Sequence, residues 1–145
     1  PIARWFKAEG FVVTGVDFSE PMLAIARGRW PNGDWRQADM RALDLGERFD
    51  GIIAWNSFFH LTAEAQRDCI RRMSSHMETG GSLMLTVGPS AGEAQGTVGT
   101  EAVYHASLSP AEYATCLESN GLRLTGFLAE DPDANGHTVL MARKD

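Results

Sequence analysis

The chain has 145 residues, 43% of them hydrophobic and 22% charged, and a formal net charge of -6. These are the proportions of a globular domain long enough to bury a core. They argue against a sequence-independent grip on nucleic acid, which needs a basic stripe, and no apolar run reaches the roughly 18 residues of a membrane span.

Residues 1–9 read as an amphipathic helix, with Ile2, Trp5 and Phe6 on one face, Arg4, Lys7 and Glu9 on the other, and Gly10 as its C-cap. Pro1 suits the first turn of that helix. The apolar run Phe11–Val16 follows as a buried strand and ends on Asp17. Ser19 is expected to cap a second helix, with Pro21 in its first turn and Met22, Leu23, Ile25 and Ala26 facing inward. Trp30-Pro31-Asn32-Gly33-Asp34 is a turn cluster, and Trp35–Ala38 a short strand ending at Asp39.

Phe49–Trp55 reads as a second buried strand, and Thr62–Met77 as a helix capped by Thr62 and stopped by Gly80-Gly81. Leu83–Val87 is a strand of the same parallel kind. Residues 89–101, rich in Gly, Ala, Ser and Thr, read as a loop or lid. Ser109 caps a helix running through Glu118 and ended by Asn120-Gly121. Leu122–Leu128 and His137–Ala142 then pair across an acidic loop, 131–136. No repeat or linker interrupts the chain, so a single domain over 1–145 is expected.

Cys69 and Cys116 fall on different predicted helices without a CxxC or Cys/His cluster, so two buried free thiols are expected. Nothing has the layout of a signal peptide, and a cytoplasmic location is the default expectation. No grouping of His, Cys and carboxylates has zinc spacing, and the acids of 130–133 lack the alternation of a calcium loop, so no metal site is expected.

Strands alternating with helices and then a terminal hairpin give an α/β fold, Rossmann-like and doubly wound, with a mostly parallel sheet. In such folds an acid at the carboxyl end of a parallel strand holds the two hydroxyls of a ribose, which makes Asp17 the first candidate for binding a nucleoside.

Four segments, VTGVDFS at 13–19, QADMRAL at 37–43, FDGIIAWNSFFHL at 49–61 and METGGSLMLT at 77–86, together resemble the class I S-adenosylmethionine-dependent methyltransferases of small-molecule type. The resemblance covers nearly the whole chain. It implies S-adenosylmethionine as cofactor and methyl transfer to an oxygen, nitrogen or carbon of a small molecule. By position, Asp17 would accept from the ribose, Phe18 would pack beside the adenine, Asp39 would receive the adenine amino group, and Met40 would touch that ring. Trp55 and Asn56 would face the methionine part of the cofactor and Ser57 the substrate. His60 stands at the edge of the same cleft as the candidate base, its imidazole suited to proton exchange near neutral pH. Tyr104 and His105 follow the lid-like segment, where relatives place acceptor contacts. The segment 88–107 would close over the site.

Measured against that family, the chain starts in what resembles the helix after the glycine-rich loop. The expectation is therefore a fold lacking the family's first strand, with unpaired edges on the strands at 11–16 and 50–55. A fragment of a longer protein is the favoured explanation, beside a natural truncation or a homodimer whose second copy covers the broken sheet.

Plainer local roles compete with each candidate. Asp17 could cap a helix, Asp39 a turn, and His60 could bond a backbone carbonyl; His137 reads as structural, and Trp30 and Trp35 as packing. Methylation of a nucleic-acid base amine is disfavoured, because Asn56 is followed by Ser57-Phe58-Phe59 and not by a proline pair. Two other functions remain as alternatives. One is a truncated, non-catalytic domain that self-associates. The other is a nicotinamide-linked oxidoreductase, weakened because neither Tyr104 nor Tyr113 has a lysine four residues on.

Overall fold

The computed structural model describes residues 2–98 and 101–145. They gather in two compact units, Pro1–Leu43 and Asp44–Asp145.

In the first unit, helix α1 (Ile2–Ala8) closes at Gly10, whose φ of 91° lies in the left-handed region that favours glycine. Strand β1 (Thr14–Asp17), helix α2 (Glu20–Arg29) and strand β2 (Asp34–Gln37) follow, and β1 and β2 pair in parallel. Gly15 lies opposite Trp35, whose indole fills the space where a Cβ on Gly15 would stand, only 2.1 Å from the ring. The Trp35 Nε1 donates to the Trp30 carbonyl at 3.0 Å, and the two indoles meet edge to face. The packing role expected of both tryptophans is what this unit uses.

Two expectations for α2 are corrected. Of its inward set only Leu23 is buried; Met22 and Ile25 are 54% and 49% exposed. A two-stranded sheet, with strands about 4.8 Å apart, is wide enough to cover one row of a helix and no more. Ser19 stands at the N-cap position, but its side chain makes no capping hydrogen bond. Ile2 and Trp5 on α1, and Phe11 and Val12 after it, are exposed as well.

The second unit is built on a four-stranded sheet ordered β3-β4-β8-β7, formed by β3 (Phe49–Ala54), β4 (Met77–Val87), β8 (His137–Lys144) and β7 (Leu122–Asp131). β3 and β4 are parallel, and β8 is antiparallel to both its neighbours. The sheet is mixed: a parallel β3–β4 pair is joined to the C-terminal antiparallel hairpin that the sequence order implied. Among the described residues β1 and β3 each have one strand neighbour.

Helix α3 (Ala63–Ser75) lays Cys69, Ile70 and Met73 into the core, and helix α4 (Pro110–Glu118) adds Tyr113 and Leu117. Thr62 and Ser109 cap these helices as expected, Ser109 in a reciprocal capping box with Glu112. Leu83, Leu85 and Val87 of β4 and Leu140 and Ala142 of β8 line the same core. Cys69 is buried and Cys116 half-buried, and the two form no disulfide; burial pushes the Cys116 thiol up from its ordinary pKa.

Two further segments differ from the reading of the sequence. Gly80-Gly81 do not stop α3, which already ends at His76; they lie inside β4 where its register with β3 shifts. His76 is the C-cap, and its ring is engaged on both sides, Nδ1 with the Arg72 carbonyl at 2.8 Å and Nε2 accepting from the Leu45 amide at 2.9 Å. Of residues 89–101, expected as a loop, 92–98 form a strand, and 99–100 lie outside the described residues. Strand β5 (Gly92–Val98) pairs antiparallel with β6 (Glu101–Ser107) in continuous register from Gly92–Ser107 to Val98–Glu101. Glycine and alanine conceal a strand at the level of propensity, whereas the backbone ladder needs no particular side chain.

No helix among the described residues is long and apolar enough to cross a membrane.

Two glycine substitutions test this account of the backbone. Gly81→Ala would bring a Cβ to 2.8 Å from the Glu78 carbonyl oxygen and should lower stability by about 1–3 kcal/mol in urea unfolding. Gly28→Ala, in open space inside α2, should raise it by about 0.5–1 kcal/mol.

Candidate functional site

The first unit carries the candidates for a nucleoside. Asp17 ends β1 opposite Gln37, and the chain of β2 runs on to Asp39, with the Ala38 amide donating to the Asp17 carbonyl at 3.1 Å. Both carboxylates thus leave the carboxyl ends of two neighbouring parallel strands. Asp17 is half-buried, and its Oδ1 accepts from the Ser19 amide at 2.8 Å, turning the chain into α2. Phe18 is 69% exposed, and its carbonyl accepts from the Gln37 side chain.

Asp39 caps the single 3₁₀ turn Met40–Ala42, accepting from the Arg41 amide at 2.9 Å, while both its oxygens also hold the Arg41 guanidinium. That side-chain pairing, helped by the backbone bond, holds the Asp39 carboxyl below the usual carboxylate range. Met40 is half-buried in the same turn. The plainer capping roles of Asp17 and Asp39 are therefore both filled. They use one oxygen of Asp17 in the hydrogen bond to Ser19, but engage both oxygens of Asp39.

The second unit carries Trp55 and Asn56, expected for the methionine part of the cofactor, and the candidates for an acceptor. Where β3 ends, Asn56 takes a left-handed φ of 52°, a conformation asparagine tolerates better than most residues. Its amide donates to the hydroxyl of Thr86 on the neighbouring strand β4, at 2.8 Å. Trp55 packs edge-on against His137, the first residue of β8. Ser57 is half-buried and begins the 3₁₀ turn Phe58–His60, its carbonyl accepting from the His60 amide. A sharp turn at the carboxyl end of a parallel strand is a common place for function.

His60, Phe59 and His105 form one cluster. The rings of His60 and His105 lie 4.9 Å apart and 39° from parallel, and the Phe59 ring meets both edge-on. His60 Nδ1 lies 3.0 Å from the Tyr104 carbonyl. A carbonyl can only accept, so Nδ1 carries a proton, and in the neutral ring Nε2 is then the nitrogen with the lone pair. Tyr104 and His105 are adjacent on β6, so their side chains leave opposite faces of the hairpin. Desolvation, then a hydrogen bond with Glu93, raises the Tyr104 phenol above its ordinary pKa. Of the three substrate candidates the fold thus brings only His105 against His60; Tyr104 contributes its carbonyl there. His137, read as structural, packs on Trp55.

Two residues of this region escaped the reading of the sequence: Thr86 and Gln66, both fully buried. Each left a signal, a polar residue within a largely apolar pattern. Thr86 interrupts the buried run Leu83–Val87, and Gln66 heads the stripe Gln66, Cys69, Ile70, Met73 of α3. Among the described residues no group of three or more His, Cys, Asp or Glu side chains could hold a metal ion.

The donor set of the first unit fits a nucleoside: a carboxylate that can accept from a diol, an exposed aromatic face, and a second carboxylate that can accept from an amine by displacing Arg41. The fold is α/β, with these two acids leaving the ends of a parallel strand pair. The profile of the family described as "Methyltransferase domain" matches residues 1–81, more than half of the chain, and the chain belongs to that family.

Among curated proteins it is 35% identical over 75 residues to a dTDP-3-amino-3,6-dideoxy-α-D-glucopyranose N,N-dimethyltransferase of Streptomyces fradiae. That match takes in 50% of this chain and 29% of the relative, so the matched stretch spans under a third of that protein's length. Among solved structures it is similar to CalS10, an S-adenosylmethionine-bound amino pentose methyltransferase from Micromonospora echinaspora, with a TM-score of 0.78 at 19% identity over 98% of this chain and 78% of that one. The CcbJ methyltransferase of Streptomyces caelestis gives 0.77 at 21% identity over 99% and 78%. At these identities the likeness establishes the fold, that of the class I methyltransferases.

Two substitutions test the local geometry. Thr86→Val should cost about 1–2 kcal/mol by leaving the Asn56 amide without its acceptor, and Thr86→Ser should restore most of it in thermal unfolding. Arg41→Ala should raise the Asp39 pKa towards its ordinary value, as read by carboxyl NMR titration. Because the folded pKa is depressed, the stabilisation from this pair is present above the unfolded pKa. It is lost as pH falls through the folded value, and the variant should lose that component of acid sensitivity.

Proposed function

We propose that residues 1–145 form one methyltransferase-like domain which, in the intact cytoplasmic protein, transfers a methyl group from S-adenosylmethionine to a nitrogen of a small molecule. The observation that carries this reading is the pair of acids, Asp17 and Asp39, at the carboxyl ends of the parallel β1–β2 pair, inside the segment the methyltransferase profile spans. Nitrogen is preferred over oxygen or carbon because the Streptomyces fradiae relative is named as an N,N-dimethyltransferase of an amino sugar.

When bound, the cofactor supplies a methyl group already activated on a sulfonium. The protein's part is to bind, to orient and to manage a proton. Asp17 accepts from the ribose diol, Phe18 covers a face of the base, and Asp39 and Met40 meet the base edge. An amine acceptor needs a free lone pair, and His60 Nε2 is the group that takes its proton, with Nδ1 anchored on the Tyr104 carbonyl. Ser57 and His105 orient the acceptor beside it.

Calorimetry with S-adenosylhomocysteine tests the reading. Micromolar binding is expected, and Asp17→Ala should weaken it by about tenfold or more, the equivalent of one charge-assisted hydrogen bond. No heat at high concentration would remove cofactor binding from this chain; heat with NAD instead would favour an oxidoreductase.

The second reading, a non-catalytic domain that self-associates, is favoured by one observation. Val12 is 97% and Phe11 55% exposed beside β1, which has one strand neighbour among the described residues. Sedimentation showing a dimer that binds no cofactor would support it; a monomer would not.

A further inference from the structure

We infer that Gln66 is a positioning residue that sets the spacing of His60 and His105, with Tyr113 fixing the orientation of its amide. The inference deepens the acceptor-side reading and rests on it for its meaning.

Gln66 lies on α3 and is fully buried. Its Nε2 donates to two backbone carbonyls, that of Leu61 at 3.0 Å and that of Ala106 at 2.8 Å. Leu61 directly follows His60, and Ala106 directly follows His105. One amide therefore bridges the chain beside each histidine, and the two carbonyls cannot separate without breaking a buried hydrogen bond. The peptide link leaves few degrees of freedom between each bridged carbonyl and the histidine before it. The bond from His60 Nδ1 to the Tyr104 carbonyl removes more.

The orientation of the amide follows from counting donors. Nε2 has two N–H groups, and both meet carbonyls. Oε1 accepts from the Tyr113 hydroxyl at 2.6 Å. That hydroxyl also stands 3.2 Å from Ser107 Oγ, which in turn accepts from the Gly88 amide and reaches the Gly88 and Leu108 carbonyls. Tyr113 has one proton and spends it on Gln66, so the amide cannot rotate without leaving several buried groups unpaired. Burial pushes the Tyr113 phenol up from its ordinary pKa and keeps it a donor. The arrangement links α3, α4, β6, the end of β4 and the turn that carries His60.

Histidine ring NMR tests this without any ligand. In the native protein the His60 ring should show the Nδ1-protonated tautomer and cross-relaxation with the His105 ring. His76, held by the Leu45 amide and the Arg72 carbonyl, serves as a separate reporter of the fold. Gln66→Met, which fills the space but donates nothing, should abolish the His60–His105 cross-peaks and shift the His60 ring nitrogens while the His76 signals persist. Unchanged His60 and His105 signals in that folded variant would overturn the inference. Should Gln66→Met lose the His76 signature as well, Tyr113→Phe decides: weakened His60–His105 cross-peaks support the inference, and native ones overturn it. Titration of the same proteins with S-adenosylhomocysteine keeps the two ideas apart. A native chain that binds none removes the methyl-transfer reading, and the histidine result stands or falls by itself.

Discussion

The hydrogen-bond ladder of β4 is the constraint on which the second unit depends. β4 pairs in parallel with β3 from Gly51–Ser82 to Ala54–Leu85 and antiparallel with β8 from Ser82–Arg143 to Val87–Thr138. Being paired on both edges, it buries Leu83, Leu85, Thr86 and Val87 together. That burial would be costly for a threonine with no partner, and Thr86 has one in the Asn56 amide at the end of β3. The ladder thus delivers a hydroxyl to the place where β3 bends away. The left-handed Asn56 is one half of that arrangement, and the buried threonine is the other.

Just past the end of the same strand, at Gly88, a second polar arrangement begins. A Cβ on Gly88 would stand 2.8 Å from Ser107 Cβ, so only a glycine lets the end of β4 approach β6 this closely. Ser107 uses that approach to bond the Gly88 backbone, and through Tyr113 it reaches Gln66. No buried side-chain nitrogen or oxygen among the described residues lacks a hydrogen-bond partner. A fully satisfied buried network specifies one arrangement because every alternative leaves a group unpaired. The aromatic cluster of Phe59, His60 and His105 sits at the outer edge of this network, so loop residues are held by core chemistry.

The first unit is organised differently. Its core is slight, with Leu23 and Leu43 buried and many of its apolar side chains outside. What it fixes well is the pair of strand ends: Gln37 ties to the Phe18 carbonyl and Ala38 to the Asp17 carbonyl, so the two acids leave adjacent strands. Each acid is also tethered to its own turn. For Asp39 that tether is Arg41, and an incoming amine would have to compete with a guanidinium. Tethering limits the side-chain freedom that binding would otherwise have to remove.

The sequence by itself determined the parts whose signals are local. Caps at Thr62 and Ser109, the left-handed end of α1 at Gly10, the apolar runs of β3 and β4, the C-terminal hairpin and the acids closing β1 and β2 all follow from short-range sterics and hydrogen bonding. The tertiary structure decided everything that pairs distant residues. Backbone pairing turned the glycine-rich stretch near 92–98 into a strand, and the close passage of β3 moved Gly80-Gly81 from a helix stop into β4. A narrow sheet left Met22 and Ile25 uncovered. The carbonyls after two histidines 45 residues apart met on one glutamine, which the reading of the sequence passed over. Local patterns record what a residue prefers, whereas the partner of a buried polar group is chosen only when the chain has folded.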